Sequence, residues 1–311
     1  MPVSVNQKAV EIVELMIKER EGLGINSITL SNGTKVIDAG ASCPGGLTAG
    51  KLLSKVCIGG LGEIHFTMGK RLQIHVSVDK PAVACMGSQL AGWMIKVGDY
   101  FAMGSGPARA KAGNEKIFSE IKYSDYFNKA VIVLETRKAP DEKVARYIAE
   151  KCGVDPKDLF ILIAPTASIV GSVQISARVV ETGVHKLHEL GFDVNQILSG
   201  FGSAPVAPVA RKDLEAMGKT NDCVLYGGRT EYFVSAEDSE IKRLIEEVSS
   251  SSSKDYGASF LEIFEKYKGD FYKIDPKLFS PAEVTINNIK TGGVFHSGHI
   301  NEEILQKSLG I

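Results

Sequence analysis

The chain has 311 residues, 44% of them apolar and 23% charged, which is the balance of a folded globular protein long enough for two domains and too apolar for disorder. Its formal charge is −1 and no stripe of Lys and Arg is interleaved with aromatics, which argues against a nucleic-acid binder. No apolar run reaches the length of a membrane span, no signal-peptide pattern opens the chain, and five scattered cysteines (Cys43, Cys57, Cys85, Cys152, Cys223) without a C-x-x-C pair suggest neither a disulfide framework nor a zinc site; a reducing cytoplasm is expected.

Residues 5–22 read as an amphipathic helix, with Ser4 and Gln7 placed for a capping box and Gly22 and Gly24 ending it. Strands 27–31 and 34–38 flank Asn32-Gly33, the strongest hairpin signal in the chain. After a Gly-rich segment at 41–51 come alternating strands 62–68 and 71–78, on which His65 and His75 are expected to face each other. Residues 81–110 read as β-rich with a buried helix, and 111–128 as a charged, flexible connection. Strand 130–136, helix 141–152 and strand 158–164 give the alternation that favours strands covered by helices. A long helix is expected over 164–190, then a strand running into a Gly/Pro/Ala loop (194–210), helix 211–219, a hairpin over 222–234 and helix 237–248. Ser249–Ser253 is the only low-complexity run and reads as a surface loop. Helix 257–268, strand 282–290, a Gly loop at 292–293 and helix 301–309 close the chain.

The pattern predicts a mixed α/β (α+β) protein of two domains with a substrate cleft between them, split as 1–122 and 123–311, the C-terminal segment being free to pack back on the first. Segments 86–110 and 169–210 echo each other: each has Gly-Ser opening a small-residue helix, then a strand, then a Gly/Ser/Pro loop. An old duplication and chance both account for that echo.

Gly45-Gly46-Leu-Thr-Ala-Gly50-Lys51 has the G-x4-G-K spacing of a phosphate-cradling loop, whose backbone amides and following helix start would bind an anion. Leu52 stands where a magnesium-holding Ser or Thr would be, which disfavours a nucleotide-hydrolysing site against binding of a simple anion or a tight structural turn. Met103–Ala110, with Ser105 and Arg109, Gly200–Pro205, with Ser203, and Tyr226–Thr230, with Arg229, are three more small-residue loops suited to close backbone approach to a ligand. His185-x-x-His188 and His296-x-x-His299 have metal-compatible spacing but lack carboxylate-rich surroundings, and no metal site is expected.

On the long helix, Val173, Ala177, Val180, Val184 and Leu187 recur as a core-facing stripe. Gln174, Arg178, Glu181, His185 and His188 repeat the rhythm one position on, about 100° around the helix. From Ala164 to Val184 the only charged side chains are Arg178 and Glu181. Charge in such surroundings is costly, so the pair is either a self-satisfying i,i+3 salt bridge or a cleft-facing acid and base.

Taken in order, ASCPGG-x4-GK, MGSGPARA, IAPTASIVGSVQISARVVETG, SGFGSAPVAP and YGGRTEYF resemble the methenyltetrahydromethanopterin cyclohydrolases of C1 metabolism, over essentially the whole chain. The resemblance implies interconversion of 5,10-methenyl-tetrahydromethanopterin plus water with N5-formyl-tetrahydromethanopterin, no metal or redox cofactor, two domains around a cleft, and a homotrimer. It assigns catalysis to the R-x-x-E pair, here Arg178 and Glu181, with Glu181 activating water and shuttling the proton and Arg178 orienting and tuning it. It also implies a phosphate site at Gly45, Gly46, Gly50 and Lys51 for the substrate's tail. Phe101, Phe201, Tyr226 and Tyr232 border the Gly loops and are candidates to stack on the pterin. Two rival readings are a pterin-binding protein without turnover and a phosphate- or nucleotide-binding enzyme built on Gly45–Lys51.

Overall fold

The computed structural model describes residues 3–311. In chain order the strands are β1 (Asn26–Thr29), β2 (Lys35–Asp38), β3 (Gly62–Met68), β4 (Leu72–Asp79), β5 (Trp93–Val97), β6 (Tyr100–Ser105), β7 (Ala130–Glu135), β8 (Leu159–Ala164), β9 (Ile197–Pro205), β10 (Arg229–Val234), β11 (Glu283–Asn288) and β12 (Gly293–Gly298). The α-helices are α1 (Val5–Lys18), α2 (Arg20–Leu23), α3 (Leu47–Cys57), α4 (Ala108–Ala112), α5 (Ile117–Glu120), α6 (Glu142–Cys152), α7 (Ile169–Ser176), α8 (Val179–Glu189), α9 (Asp213–Leu225), α10 (Asp238–Val248), α11 (Phe260–Lys266) and α12 (Glu302–Leu309). Ala82–Gln89 forms a π-helix.

The chain makes two compact units, but not by a single cut near residue 122. The first unit joins the chain up to Glu63 with Val83–Gln174, and the second joins Ile64–Ala82 with Ile175–Ile311. The physical reason is strand pairing: β6 pairs with β7 across the expected boundary, and the β3–β4 hairpin is lent to the other sheet, where β4 pairs with β9.

In the first unit the sheet order is β1-β2-β8-β7-β6-β5, with β2, β8 and β7 parallel. The unbroken apolar runs of β7 (AVIVLE) and β8 (LFILIA) follow from helices covering both faces. Val131, Val133, Phe160 and Leu162 join one core with residues of α1 and α3, while Ile132, Leu134, Ile161 and Ile163 join another with residues of α6. The stretch 111–128 is a fastened strap, not a loose connection. Buried Asp125 accepts from Ser4 Oγ (2.8 Å) and from the backbone and side-chain amides of Asn6 (2.8 and 3.0 Å), tying the strap to the start of α1.

The second unit has the order β12-β11-β10-β9-β4-β3. Residues 222–234 are not a hairpin: α9 runs to Leu225, and β10 pairs antiparallel with β9 and parallel with β11. The 292–293 glycines turn into β12, a strand the sequence reading missed. His75 hydrogen-bonds Thr67 Oγ1 through Nε2 (2.7 Å), so its bonded partner on the hairpin is Thr67, not His65. The serine run is largely buried because its hydroxyls are spent on the fold: Ser250 Oγ donates to Leu225 O and Ser253 Oγ to Asp275. Each sheet contains the succession antiparallel, antiparallel, parallel, over β5-β6-β7-β8 and over β4-β9-β10-β11.

Buried Asp222 joins three helices of this unit. From α9 it accepts the Phe260 amide at the start of α11 (2.9 Å) and the Ser308 hydroxyl of α12 (2.5 Å). Burial pushes its carboxyl up to about 7 against those hydrogen bonds. The folded state therefore holds this proton more tightly than the unfolded chain. The Asp222 contribution to stability is whole below the unfolded carboxyl's range and declines as pH rises toward 7. Urea titrations from pH 4 to 8 are expected to show that decline, and Asp222→Asn to flatten it; an unchanged slope in the variant would exclude Asp222 as its source.

Candidate active site

The long helix expected over 164–190 is two helices. Ser168 caps α7, its Oγ accepting from the Gly171 amide (2.9 Å) and donating to Pro165 O (2.8 Å). At Ala177–Arg178 the ladder changes: the Arg178 amide reaches back three residues to Ile175 O (3.0 Å), and four-residue spacing resumes with the Thr182 amide on Arg178 O (2.8 Å). The apolar stripe still holds across this break, with Val173, Ala177, Val180, Val184 and Leu187 all fully buried. The chain passes from one unit to the other inside α7, between Gln174 and Ile175. Arg178 and Glu181 therefore both belong to the second unit.

The break puts Arg178 at the N-cap of α8 and Glu181 in its first turn. A carboxylate there is favoured by the helix dipole, which a mid-helix position would not supply. Arg178 Nη1 lies 3.7 Å from Glu181 Oε2, with side-chain exposures of 14% and 8%. That separation is an ion pair and too long for a hydrogen bond, so the carboxylate is neutralised in part without being locked in a bidentate clamp. An acid in this setting can accept a proton from a bound water.

Glycines seat this turn. β9 alternates, and a Cβ at Gly200 or Gly202 would come within 2.9 Å of the Val180 methyls. Gly200-Phe-Gly202 is thus small on one face so that α8 can lie close to the sheet, while Phe201 is exposed on the other face. Ser203 faces away from α8 too. It pairs with His75 on β4 and Arg229 on β10, in a recess of about 280 Å³ that Arg71, Gln73 and Glu302 also line. Arg71 is bridged to Glu302 (2.9 Å) and Arg229 to Glu283 (3.3 Å), so the recess is charged but balanced. Ser203 and Arg229 are brought together, then, but on the sheet face opposite Arg178 and Glu181. The sequence reading missed Arg71, Gln73 and Glu302. Arg71, just before β4, and Gln73 on it alternate with His75 and were within reach of a period-two reading; the pairing of Arg71 with Glu302 spans 231 positions and was not.

In the first unit, Gly45 (φ +63°) donates its amide to Gly24 O (2.9 Å), and Gly46 is the N-cap of α3. A Cβ on Gly50 would lie 2.7 Å from that of Val173, so this glycine has a packing reason of its own. Lys51 sits half-buried one turn into α3, whose first turn contains no acidic residue. The loop before it is shaped by Asp38, which accepts the amides of Gly40, Ala41 and Ser42. Burial opposes ionisation of Asp38, but these bonds and that from the Ser42 hydroxyl outweigh it and hold its carboxyl below the usual range.

Other expected contacts are used up internally. Arg109 is fully buried, bidentate to Glu115 (2.9 and 2.6 Å), and donates to the carbonyls of Met86 and Ser88 at the end of the π-helix (3.0 and 3.1 Å). Its guanidinium fastens the 103–110 loop and is not presented to a ligand. Ser105 is buried on β6. Tyr226 and Tyr232 are buried and donate to Ala258 O and Val180 O, so neither is available for stacking; Phe101 and Phe201 are exposed. His185 and His188 both lie near Glu189 (3.8 and 3.6 Å), and among the described residues no three of His, Cys, Asp and Glu gather as a metal-binding group. Among these residues no helix is long and apolar enough to cross a membrane.

The family model described as Cyclohydrolase (MCH) matches residues 4–309. The mixed two-sheet fold is therefore that of a hydrolase acting on the carbon–nitrogen bonds of a cyclic amidine. The methenyltetrahydromethanopterin cyclohydrolase of Methanocaldococcus jannaschii is 48% identical, over 99% of this chain and 98% of its own length. Those of Methanococcoides burtonii and Methanothermobacter marburgensis are each 46% identical, over 99% of this chain. The chain belongs to the methenyltetrahydromethanopterin cyclohydrolase family.

Proposed function

We propose that the chain interconverts 5,10-methenyl-tetrahydromethanopterin plus water with N5-formyl-tetrahydromethanopterin and a proton, with Glu181 as the acid–base group. The observation that carries this reading is the placement of one carboxylate and one guanidinium, both largely shielded, in the first turn and at the N-cap of α8. The methenyl carbon is flanked by two nitrogens and shares their positive charge, so it is electrophilic without a metal. Water attacks it while Glu181 takes one water proton. The resulting tetrahedral adduct breaks its bond to N10, which takes the proton back from Glu181. The remaining hydroxyl then loses its proton as the formyl C=O forms, so one proton is released per turnover. Arg178 orients Glu181 and offsets the oxygen charge that develops at collapse.

The amides at the start of α3, with Lys51, bind the phosphate of the substrate's tail. Ser203 and Arg229 contribute further polar contacts from their recess. The active protein is a cytoplasmic homotrimer, for which sedimentation should give a mass about three times 33.5 kDa. The test of the function is optical: adding the protein to methenyl-tetrahydromethanopterin should bleach the ultraviolet band of the methenyl group. Saturable binding with the band intact would mean a carrier, and this proposal would fall. ATP or GTP binding at Gly45–Lys51 by calorimetry would overturn the phosphate-tail assignment.

A further inference from the structure

Tyr232 is a fully buried tyrosine on β10, and its hydroxyl donates to the Val180 carbonyl across 2.8 Å. That carbonyl belongs to the peptide linking Val180 to Glu181, in the first turn of α8. Directly above it the helix contains Gly183. A Cβ there would lie 2.1 Å from the Tyr232 hydroxyl oxygen and 2.9 Å from the ring carbon bearing it. Mid-helix glycine costs about 1 kcal/mol relative to alanine, so a reason for it is needed, and the phenol occupies the space a methyl would take. The ring is itself tightly placed, since a Cβ on Gly200 would come within 3.3 Å of its Cδ1 and Cε1.

We propose that Tyr232 is the positioning residue of the Arg178–Glu181 pair, its hydroxyl set in the notch left by Gly183 so as to fix the depth and rotation of the first turn of α8. Core packing of Val180 and Val184 would hold the helix against the sheet with some latitude. A hydrogen bond from a rigid two-torsion side chain to the carbonyl next to Glu181 removes that latitude at the one turn where a displacement of an ångström matters for proton transfer. This inference rests on the catalytic reading of Glu181, and it assigns Tyr232 a role that involves no contact with substrate.

The experiment compares Tyr232→Phe, Gly183→Ala and the double variant with Glu181→Gln, measuring kcat, KM and thermal midpoint for each. Tyr232→Phe keeps the ring and should lower kcat about five- to tenfold, with KM within about twofold and the protein still folded at the assay temperature. Gly183→Ala, which drives a methyl into the hydroxyl, should lower kcat at least as much. Removing that hydroxyl in the double variant should return part of the loss, which independent structural damage would not do. If Tyr232→Phe retains wild-type kcat while Glu181→Gln is crippled, the positioning role is wrong and the catalytic reading stands. Should Glu181→Gln turn over normally, the catalytic reading fails and this inference with it. A kcat loss that merely tracks the unfolded fraction in the melting curve would also overturn it.

Discussion

Glu181→Gln is expected to lower kcat by about two to four orders of magnitude, with substrate affinity largely kept, because the amide fills the same space but cannot take a proton from water. The setting explains the size of the effect. Glu181 is 8% exposed, so bulk water is a poor substitute acceptor, and Arg178 at 3.7 Å cannot serve as a base. Among the described residues, the other titratable groups on α8 beyond this turn are Lys186, His185, His188 and Glu189, and they lie at least one turn further along the helix. Stopped-flow bleaching of the methenyl band gives kcat and KM together. Wild-type turnover in the variant would remove Glu181 from the chemistry. Raised KM with unchanged kcat would make it a binding residue instead.

Arg109→Met should cost about 3 kcal/mol of stability, the low end of the range for breaking a buried pair, because Glu115 is partly exposed and can recover some hydration. Three losses combine. The Glu115 carboxylate is left unpaired, the Met86 and Ser88 carbonyls lose their donor, and the guanidinium no longer lies over the Phe118 ring (5.5 Å). The carbonyls matter most for structure, since they lie at the C-terminal end of the π-helix, where orphan acceptors need a donor. Arg109→Lys retains the charge but cannot bridge both carboxylate oxygens and both carbonyls, so it should fall between wild type and Arg109→Met. Denaturant unfolding followed by circular dichroism measures the difference. A loss under about 0.5 kcal/mol, the level of an ordinary surface substitution, would show that the pair does not hold this loop.

The catalytic candidates were legible in the sequence for a physical reason. An acid and a base in a stretch that is otherwise uncharged stand out because burying them is costly, and the i,i+3 spacing says that they can meet. β7 and β8 of the first sheet were legible too, since they are continuous apolar runs of strand length, whereas β5 and β6 were read only as part of a β-rich stretch. The glycines were read less well. Four small-residue loops suggested a ligand crevice, yet Gly200, Gly202 and Gly50 are small because another part of the same chain lies against them. Permissive backbone and close packing leave the same mark on a sequence, and only the identity of the neighbour separates them.

By itself the sequence determined the local structure and the chemistry: which segments alternate with period two, where Ser4 caps the first helix, and that Arg178 and Glu181 form a pair. It does so because propensity, capping and periodicity act over a few residues. Tertiary structure decided which strands share a sheet, why the helix breaks at Ala177–Arg178, that Arg109 is spent on Glu115 and the π-helix, and that Tyr232 reaches Val180 O. Each of these joins positions far apart in the chain or depends on how a helix is seated against its sheet. Pairings of that kind are settled by the packing of whole surfaces, which no local pattern encodes.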